Sequence, residues 1–323
     1  MTYVAINVKF SKSVNSVVDK LFSEEIQHSV SGILEPIFNE PLPNYPFQTS
    51  TIKVRVDEEI PNNKIRQILT WSKNLSHDDT TSTASQITVA LVTQCSVDRL
   101  SNLYQQLLRW NGKASVAIYV KSNESYSSTK RSIISGLDET RKQAIKEHGE
   151  HSQWDVSVSL VLGTKEEEEF PVNYLRNVAL LDAKSQQQQM RGMKGAVLLV
   201  DVDFIPSNNL HKALHCKLAA DNILEERQVV VIPAFEGVID GPPPKSVLEL
   251  ERMIKRQEAT SFRQKFYRGH GPTNFNQYWK KSTSLNQGVI DEFWASVYAV
   301  RYQPYFEPYV VMATEDVPLY DER

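Results

Sequence analysis

Asp201 and Asp203 are the residues in this sequence whose type and spacing point most directly to chemistry. They follow an unbroken apolar run, Ala196 to Val200, inside the stretch GAVLLVDVDFIPS that opens at Gly195 and closes at Pro206 and Ser207. A short apolar run bounded by Gly and Pro reads as a buried strand. Side chains alternate along a strand, so the two carboxylates are expected on one side and Val202 on the other. Two carboxylates at the carboxyl end of a central strand make a hard-oxygen site suited to Mn²⁺ or Mg²⁺. The plainer alternative is the solvated edge of a strand, because Asp-x-Asp is short and common.

Such a pair needs a frame that holds it, and from residue 87 the pattern supplies one. ITVALVT (87–93) reads as a buried strand. A helix follows over 96–110, with Ser96 at its N-cap and Val97, Leu100, Tyr104, Leu107 and Leu108 facing inward. Strands are expected at 114–120 and 155–162, and helices at 131–148 and 172–189, the last opened by Pro171. After the acidic strand come a helix at 208–222 and a strand at 229–235. Strands alternating with helices of this length imply an α/β fold with a mainly parallel sheet covered on both faces. Beyond Glu236 the pattern loosens into a turn and charged helix over 241–259 and a Gly-, Pro- and aromatic-rich loop over 268–281. Long irregular segments of this kind tend to be binding loops.

The first 85 residues follow another pattern. Val14, Val17, Val18, Leu21, Phe22, Ile26 and Val30 recur at helical spacing, which predicts an amphipathic helix over 13–30. Pro36, Pro41, Pro43 and Pro46 imply extended chain, and Ile65, Ile68 and Leu69 suggest a short helix after Pro61. SHDDTTSTASQ (76–86) has the small polar composition of a linker. The expected division is therefore an N-terminal extension or stem, 1–85, and a main domain, 86–323.

Composition narrows the function. With 36 Lys and Arg against 39 Asp and Glu, the net charge of -3 gives no basic field for nucleic acid. Two cysteines, Cys95 and Cys216, make neither a disulfide framework nor a cysteine zinc site. No apolar run approaches the roughly 18 residues that span a bilayer, so membrane attachment is expected only through an anchor outside this sequence. Sequons at Asn74 and Asn123 permit a lumenal home.

Six segments in order and register carry a family resemblance: FPVNYLRNVAL (170–180), LLVDVDFIP (198–206), VIPAFE (231–236), GHGPTNF (269–275), FEPYVV (306–311) and DVPLYDER (316–323). Together they resemble the LARGE-type glycosyltransferase family, and the resemblance covers about residues 86–323. It implies a GT-A fold using a UDP-sugar and Mn²⁺ or Mg²⁺, inverting transfer of glucuronic acid or a related sugar to a glycan or glycoprotein acceptor, and a Golgi-lumenal setting.

By the same resemblance Asp203 is a metal ligand and Asp201 shares metal and donor contacts. Donor binding then falls to Thr93 and Gln94 after the first strand, Asn173, Arg176 and Asn177 in the helix opened by Pro171, Glu236, and His270 and Asn274 in the GHGPTNF loop. Family members continue past the Tyr-Asp-Glu-Arg stretch into a Gly-rich segment and a later His that looks like a third metal ligand. The sequence stops at Arg323, so the expectation is a domain incomplete at its carboxyl end, with Asp321 and Glu322 the nearest candidates for acceptor binding or for taking the acceptor proton. Two alternatives remain: a transferase-fold binding protein without activity, and a haloacid-dehalogenase-type phosphohydrolase with Asp201 as nucleophile.

Overall fold

The computed structural model describes residues 2–4, 8–10, 52–60, 64–71 and most of 87–321. Within that last span 122–124, 150–151, 164–169, 191–192, 221–222, 227, 239–240, 266 and 284–297 are left out. The strands are β1 Thr2–Val4, β2 Val8–Phe10, β3 Ile52–Ile60, β4 Lys64–Trp71, β5 Ile87–Ser96, β6 Lys113–Val120, β7 Asp155–Leu162, β8 Lys194–Leu199, β9 Phe204–Pro206, β10 Val230–Ile232, β11 Ala234–Gly237, β12 Ala259–Ser261, β13 Ala299–Val300 and β14 Tyr309–Ala313. The helices are α1 Leu100–Trp110, α2 Tyr126–His148, α3 Val172–Gln189, α4 Leu210–Ala220, α5 Val247–Lys255, α6 Tyr267–His270 and α7 Phe275–Thr283.

The main sheet runs β13-β2-β10-β14-β8-β5-β6-β7-β4-β3, and its centre, β8-β5-β6-β7, is parallel. The chain lays down β5, β6 and β7 side by side, then crosses back so that β8 pairs with the free edge of β5. This reversal is a topological switch point, and open α/β sheets bind ligands where the carboxyl ends of such strands diverge. Alternation along β5 and β6 feeds both faces of the sheet. Val89, Leu91, Val116 and Ile118 pack with Leu103 and Leu107 of α1 and Ile133 and Leu137 of α2, while Ala90, Val92, Ala117 and Tyr119 pack with Leu175, Val178 and Ala179 of α3. A second sheet, β12-β11-β1-β9, leads away from the acidic turn.

Three expectations change, the first being that 268–281 is not a loop: it holds the end of α6, a 3-10 turn at Gly271–Thr273 and most of α7. Residues 64–71 form a strand, not a short helix: β4 pairs antiparallel with β3 and with β7, completing the sheet edge. Three apolar residues cannot separate a period of 3.6 from one of 2, and the β-branched residues of this stretch favour the strand. The apolar run before Asp201 ends its pairing at Leu199, so Asp201 and Asp203 lie in a turn closed by a hydrogen bond from the Phe204 amide to the Asp201 carbonyl, 3.1 Å, not on the strand itself. The amphipathic helix at 13–30 and the boundary at 76–86 lie outside the described residues. Among the described residues no helix is long and apolar enough to cross a membrane.

Two buried histidines set the acid limit of this frame. His211 stands edge-on to Trp110 at 4.9 Å, and His270 is enclosed by Phe262 and Tyr309. Burial first, and the neighbouring His215 or Arg263 second, push each imidazole down to about 4. In the unfolded chain each titrates near ~6.5, so between these values the unfolded state binds more protons and stability falls as pH drops. The stabilisation is complete above ~6.5 and lost toward pH ~4, on the order of 3 kcal/mol for His211 and less for His270, which lies nearer the surface. Thermal melts are expected to show a lower Tm at pH 5 than at pH 7, and His211→Gln should shrink the difference.

Candidate functional site

The acidic turn forms one wall of a cleft of about 1070 Å³ at the switch point. Its floor is the carboxyl end of β5, where Thr93 and Gln94 are 2% and 7% exposed. Val202 is buried, and Asp201 and Asp203 both line the cleft.

Each carboxylate has its own partners. Asp201 Oδ1 accepts a hydrogen bond from Arg176 Nη2 at 2.7 Å and a longer one from Gln94 Nε2 at 3.5 Å. Asp201 Oδ2 accepts one from the Tyr309 hydroxyl at 3.3 Å. Burial and the Asp201 charge push the Tyr309 phenol well above its usual range, so it stays a donor. Asp203 Oδ1 accepts from Asn102 Nδ2 at 2.9 Å and pairs with Arg99. Burial opposes the charge on Arg176, but Asp201 more than offsets it and the guanidinium is held above its ordinary value.

The turn is held from beneath by Gln106. This side chain is completely buried on α1, and its Nε2 donates to the Asp201 carbonyl at 3.0 Å and the Phe204 carbonyl at 2.8 Å. Arg99, Asn102 and Gln106 occupy positions three and four residues apart, a polar stripe along the side of α1 that meets the turn. Sequence reasoning passed over this stripe, whose signal is helical spacing beside the apolar residues Leu103 and Leu107. Tyr309 was also missed: β14 runs antiparallel to β8 with Val310 opposite Leu199, which brings Tyr309 beside the acidic turn. No local spacing encodes that pairing.

The other expected site residues divide. Thr93, Gln94, Arg176 and His270 line the cleft with the two aspartates. Asn173 and Asn177 act on the chain near its carboxyl end: Asn173 Nδ2 donates to the Asp321 carbonyl at 2.6 Å, and Asn177 bonds both the carbonyl and the amide of Tyr320, at 2.9 and 2.7 Å. This clamp sets the Tyr320 ring 5.0 Å from the Arg176 guanidinium, within cation–π reach. Glu236 lies on β11 opposite Thr260 and does not line the cleft. Asn274 is exposed and caps α7 by accepting from the Gln277 amide at 3.2 Å. Asp321 is exposed beside the Tyr320 clamp, and Glu322 lies outside the described residues.

Chemically, the cleft offers two hard carboxylates, guanidinium groups beside them, and a polar floor. The buried Thr93 Oγ1 has no hydrogen-bond partner there. An orphaned hydroxyl at a cleft floor carries a desolvation cost that a ligand or water can relieve. Among the described residues no three His, Cys, Asp or Glu side chains gather into a complete metal site, so an ion held here would draw the rest of its shell from water and ligand oxygens.

A mostly parallel central sheet flanked by helices, with a carboxylate pair at the switch point, is an α/β fold of GT-A type. The profile of the family described as "Glycosyl-transferase for dystroglycan" matches residues 88–152 and 141–323, and the chain belongs to that family. Among similar proteins, the xylosyl- and glucuronyltransferase LARGE2s of Danio rerio is 30% identical over 237 residues, covering 73% of this chain and 27% of that protein. The human xylosyl- and glucuronyltransferase LARGE1 is 29% identical over 242 residues, 74% of this chain and 27% of its own length. The glycosyltransferase-like protein LARGE of Caenorhabditis elegans is 26% identical over 251 residues, 73% of this chain and 32% of its own. The chain thus spans about a third or less of the length of these curated relatives. The family match, with β8 last and not first among the central parallel strands, sets the phosphohydrolase alternative aside.

Proposed function

We propose that residues 86–323 form the catalytic domain of an inverting glycosyltransferase that moves glucuronic acid or a related sugar from a UDP-sugar to a glycan or glycoprotein acceptor, with Mn²⁺ or Mg²⁺ at Asp201 and Asp203. The observation that carries this reading is the convergence of both carboxylates on one cleft at the switch point, above a floor with an orphaned hydroxyl. The donor set fits a hard divalent ion. The Asp201 and Asp203 side chains are 33% and 45% exposed, and the cleft leaves room for waters and phosphate oxygens to complete the shell. When bound, such an ion stabilises the negative charge that develops on the departing diphosphate.

The chain's own residues divide the remaining work. Thr93 and Gln94 receive the nucleotide at the end of β5, and the Thr93 hydroxyl gains the partner it lacks. Arg176 and Arg99 balance the carboxylates in the unliganded cleft and stand ready for phosphate or sugar oxygens, which a guanidinium grips through a fixed fork of donors. Tyr309 and Gln106 keep the acidic turn in place. Asn173 and Asn177 serve the donor side indirectly, by fixing Tyr320 against Arg176. His270, neutral at physiological pH, contributes a polar edge without charge. Asp321 and Glu322 are assigned to the acceptor side, where a carboxylate takes the hydroxyl proton. By this reading the working setting is the Golgi lumen.

The test is transfer itself. With Mn²⁺ present, incubation with UDP-glucuronic acid or UDP-xylose and a β-linked oligosaccharide acceptor should release UDP and lengthen the acceptor by one sugar, read by mass spectrometry. Tight UDP binding with no product from any donor would leave a binding protein on a transferase fold.

A further inference from the structure

The cleft is lined by four basic residues, Arg99, Lys121, Arg176 and Arg263, and four acidic ones, Asp98, Asp201, Asp203 and Glu307, but they do not all pair with one another. Arg176 answers Asp201 and Arg99 answers Asp203, and Lys121 lies within electrostatic reach of Asp98. Arg263 lines the same cleft, yet among the described residues no carboxylate lies within ion-pair distance of it, and Glu307, also in the lining, makes no such pair. Its backbone stands in the left-handed region at φ 50, as third residue of a turn closed by the Gln264 amide on the Ser261 carbonyl at 3.2 Å. A non-glycine residue pays a steric cost there, so the conformation is imposed by its surroundings. The Phe262 amide ties the turn to the Ala234 carbonyl at 2.9 Å, and the Arg263 guanidinium lies 5.4 Å from the Phe262 ring centre. The ring supports the cation without neutralising it and leaves its forked donors for another group. Phe262 in turn packs edge-on against Phe204, which directly follows Asp203.

Resting on the reading of this cleft as a UDP-sugar site, we propose that Arg263 is a specificity-determining residue that takes the carboxylate of an acidic sugar. The relatives' names couple two donors, xylose and glucuronic acid, which differ at a single ring carbon: xylose carries only hydrogens where glucuronate carries a carboxylate. A spare guanidinium aimed into the cleft separates these two, because a planar fork matches a carboxylate in bidentate fashion and finds nothing to bind on xylose. His270 packs on the same Phe262 ring at 4.8 Å and, pushed down to about 4 by burial and by Arg263, adds no second charge. The carboxylate belongs either to the donor sugar or to a uronic acid on the acceptor, and both satisfy the same chemistry.

The experiment is calorimetric binding to the whole chain in Mn²⁺, with UDP, UDP-glucuronic acid, UDP-xylose, and methyl β-glucuronide added in the presence of UDP. If the donor supplies the carboxylate, the wild type binds UDP-glucuronic acid about tenfold or more tighter than UDP-xylose, as one charge-assisted pair provides. Arg263→Gln then brings the two donors level, Arg263→Lys restores part of the gap, and UDP itself binds each variant as it does the wild type. If the acceptor supplies it, the donors bind equally and methyl β-glucuronide binding is lost in Arg263→Gln. Equal donor affinities together with glucuronide binding indifferent to Arg263, in protein that still binds UDP, overturn the inference. Failure of the wild type to bind UDP overturns the reading of the cleft and the inference with it.

Discussion

Asp203→Ala is expected to weaken UDP binding by at least ~100-fold in Mn²⁺ while leaving the weak binding measured in EDTA unchanged. The magnitude follows from the ligand's place: altering groups that merely orient a metal ligand costs about 10–100-fold in metal affinity, and removal of a ligand costs no less. Asp203 is the better position to test because its removal costs the fold little. Its side chain is 45% exposed, and its partner Arg99 is 49% exposed at the cleft. Asp201 is the more entangled residue, bonded to Arg176 and Tyr309, so its loss would mix metal binding with repacking of the cleft wall. Isothermal titration of UDP with and without EDTA separates the two contributions. Equal affinities for wild type and Asp203→Ala in Mn²⁺ would remove the carboxylate from the site.

The second large effect is structural and lies beneath the site. Gln106→Leu keeps the volume of the side chain but strips the Asp201 and Phe204 carbonyls of their side-chain donor in a fully buried position. The Asp201 carbonyl keeps the Phe204 amide, so the loss falls mainly on the Phe204 carbonyl; leaving a buried acceptor without its side-chain donor costs about 1–3 kcal/mol, offset in part because the unpartnered Gln106 Oε1 is removed too. For a domain of this size that lowers Tm by roughly 2–12 °C. The turn it supports carries both carboxylates, so Mn²⁺-dependent UDP binding should weaken even well below the new Tm. A variant that melts like the wild type and binds UDP equally well would show that the turn holds without this prop.

Much of the frame was legible because it rests on local periodicity. The strands at 155–162 and the helix at 172–189 fall where alternation and helical spacing put them, since each is long enough for its period to be read. The β4 segment was not legible: Ile65, Ile68 and Leu69 are too few to declare a period, and its strand state depends on pairing with β7, some ninety residues away. The same division runs through the site. Asp201 and Asp203 announce themselves by chemistry and by the apolar run before them, and Arg176 by its charge near a helix start. Gln106 and Tyr309 do not, because each acts through a contact between elements distant in sequence. Asn173 and Asn177 hydrogen-bond the backbone at Asp321 and Tyr320, a contact their place in the helix does not announce. Polar residues near a site serve the frame as readily as the ligand.

The shared-cation claim is met most directly by electron paramagnetic resonance of Mn²⁺, in which the signal of the free aquo ion falls as the ion binds protein. Titrating wild-type chain into Mn²⁺ with UDP present should remove one equivalent of free ion per chain, with far less removed when UDP is omitted or when Asp201 and Asp203 are both replaced by alanine. A free-ion signal that the wild type and UDP together leave no smaller than the doubly substituted chain and UDP do would contradict the account.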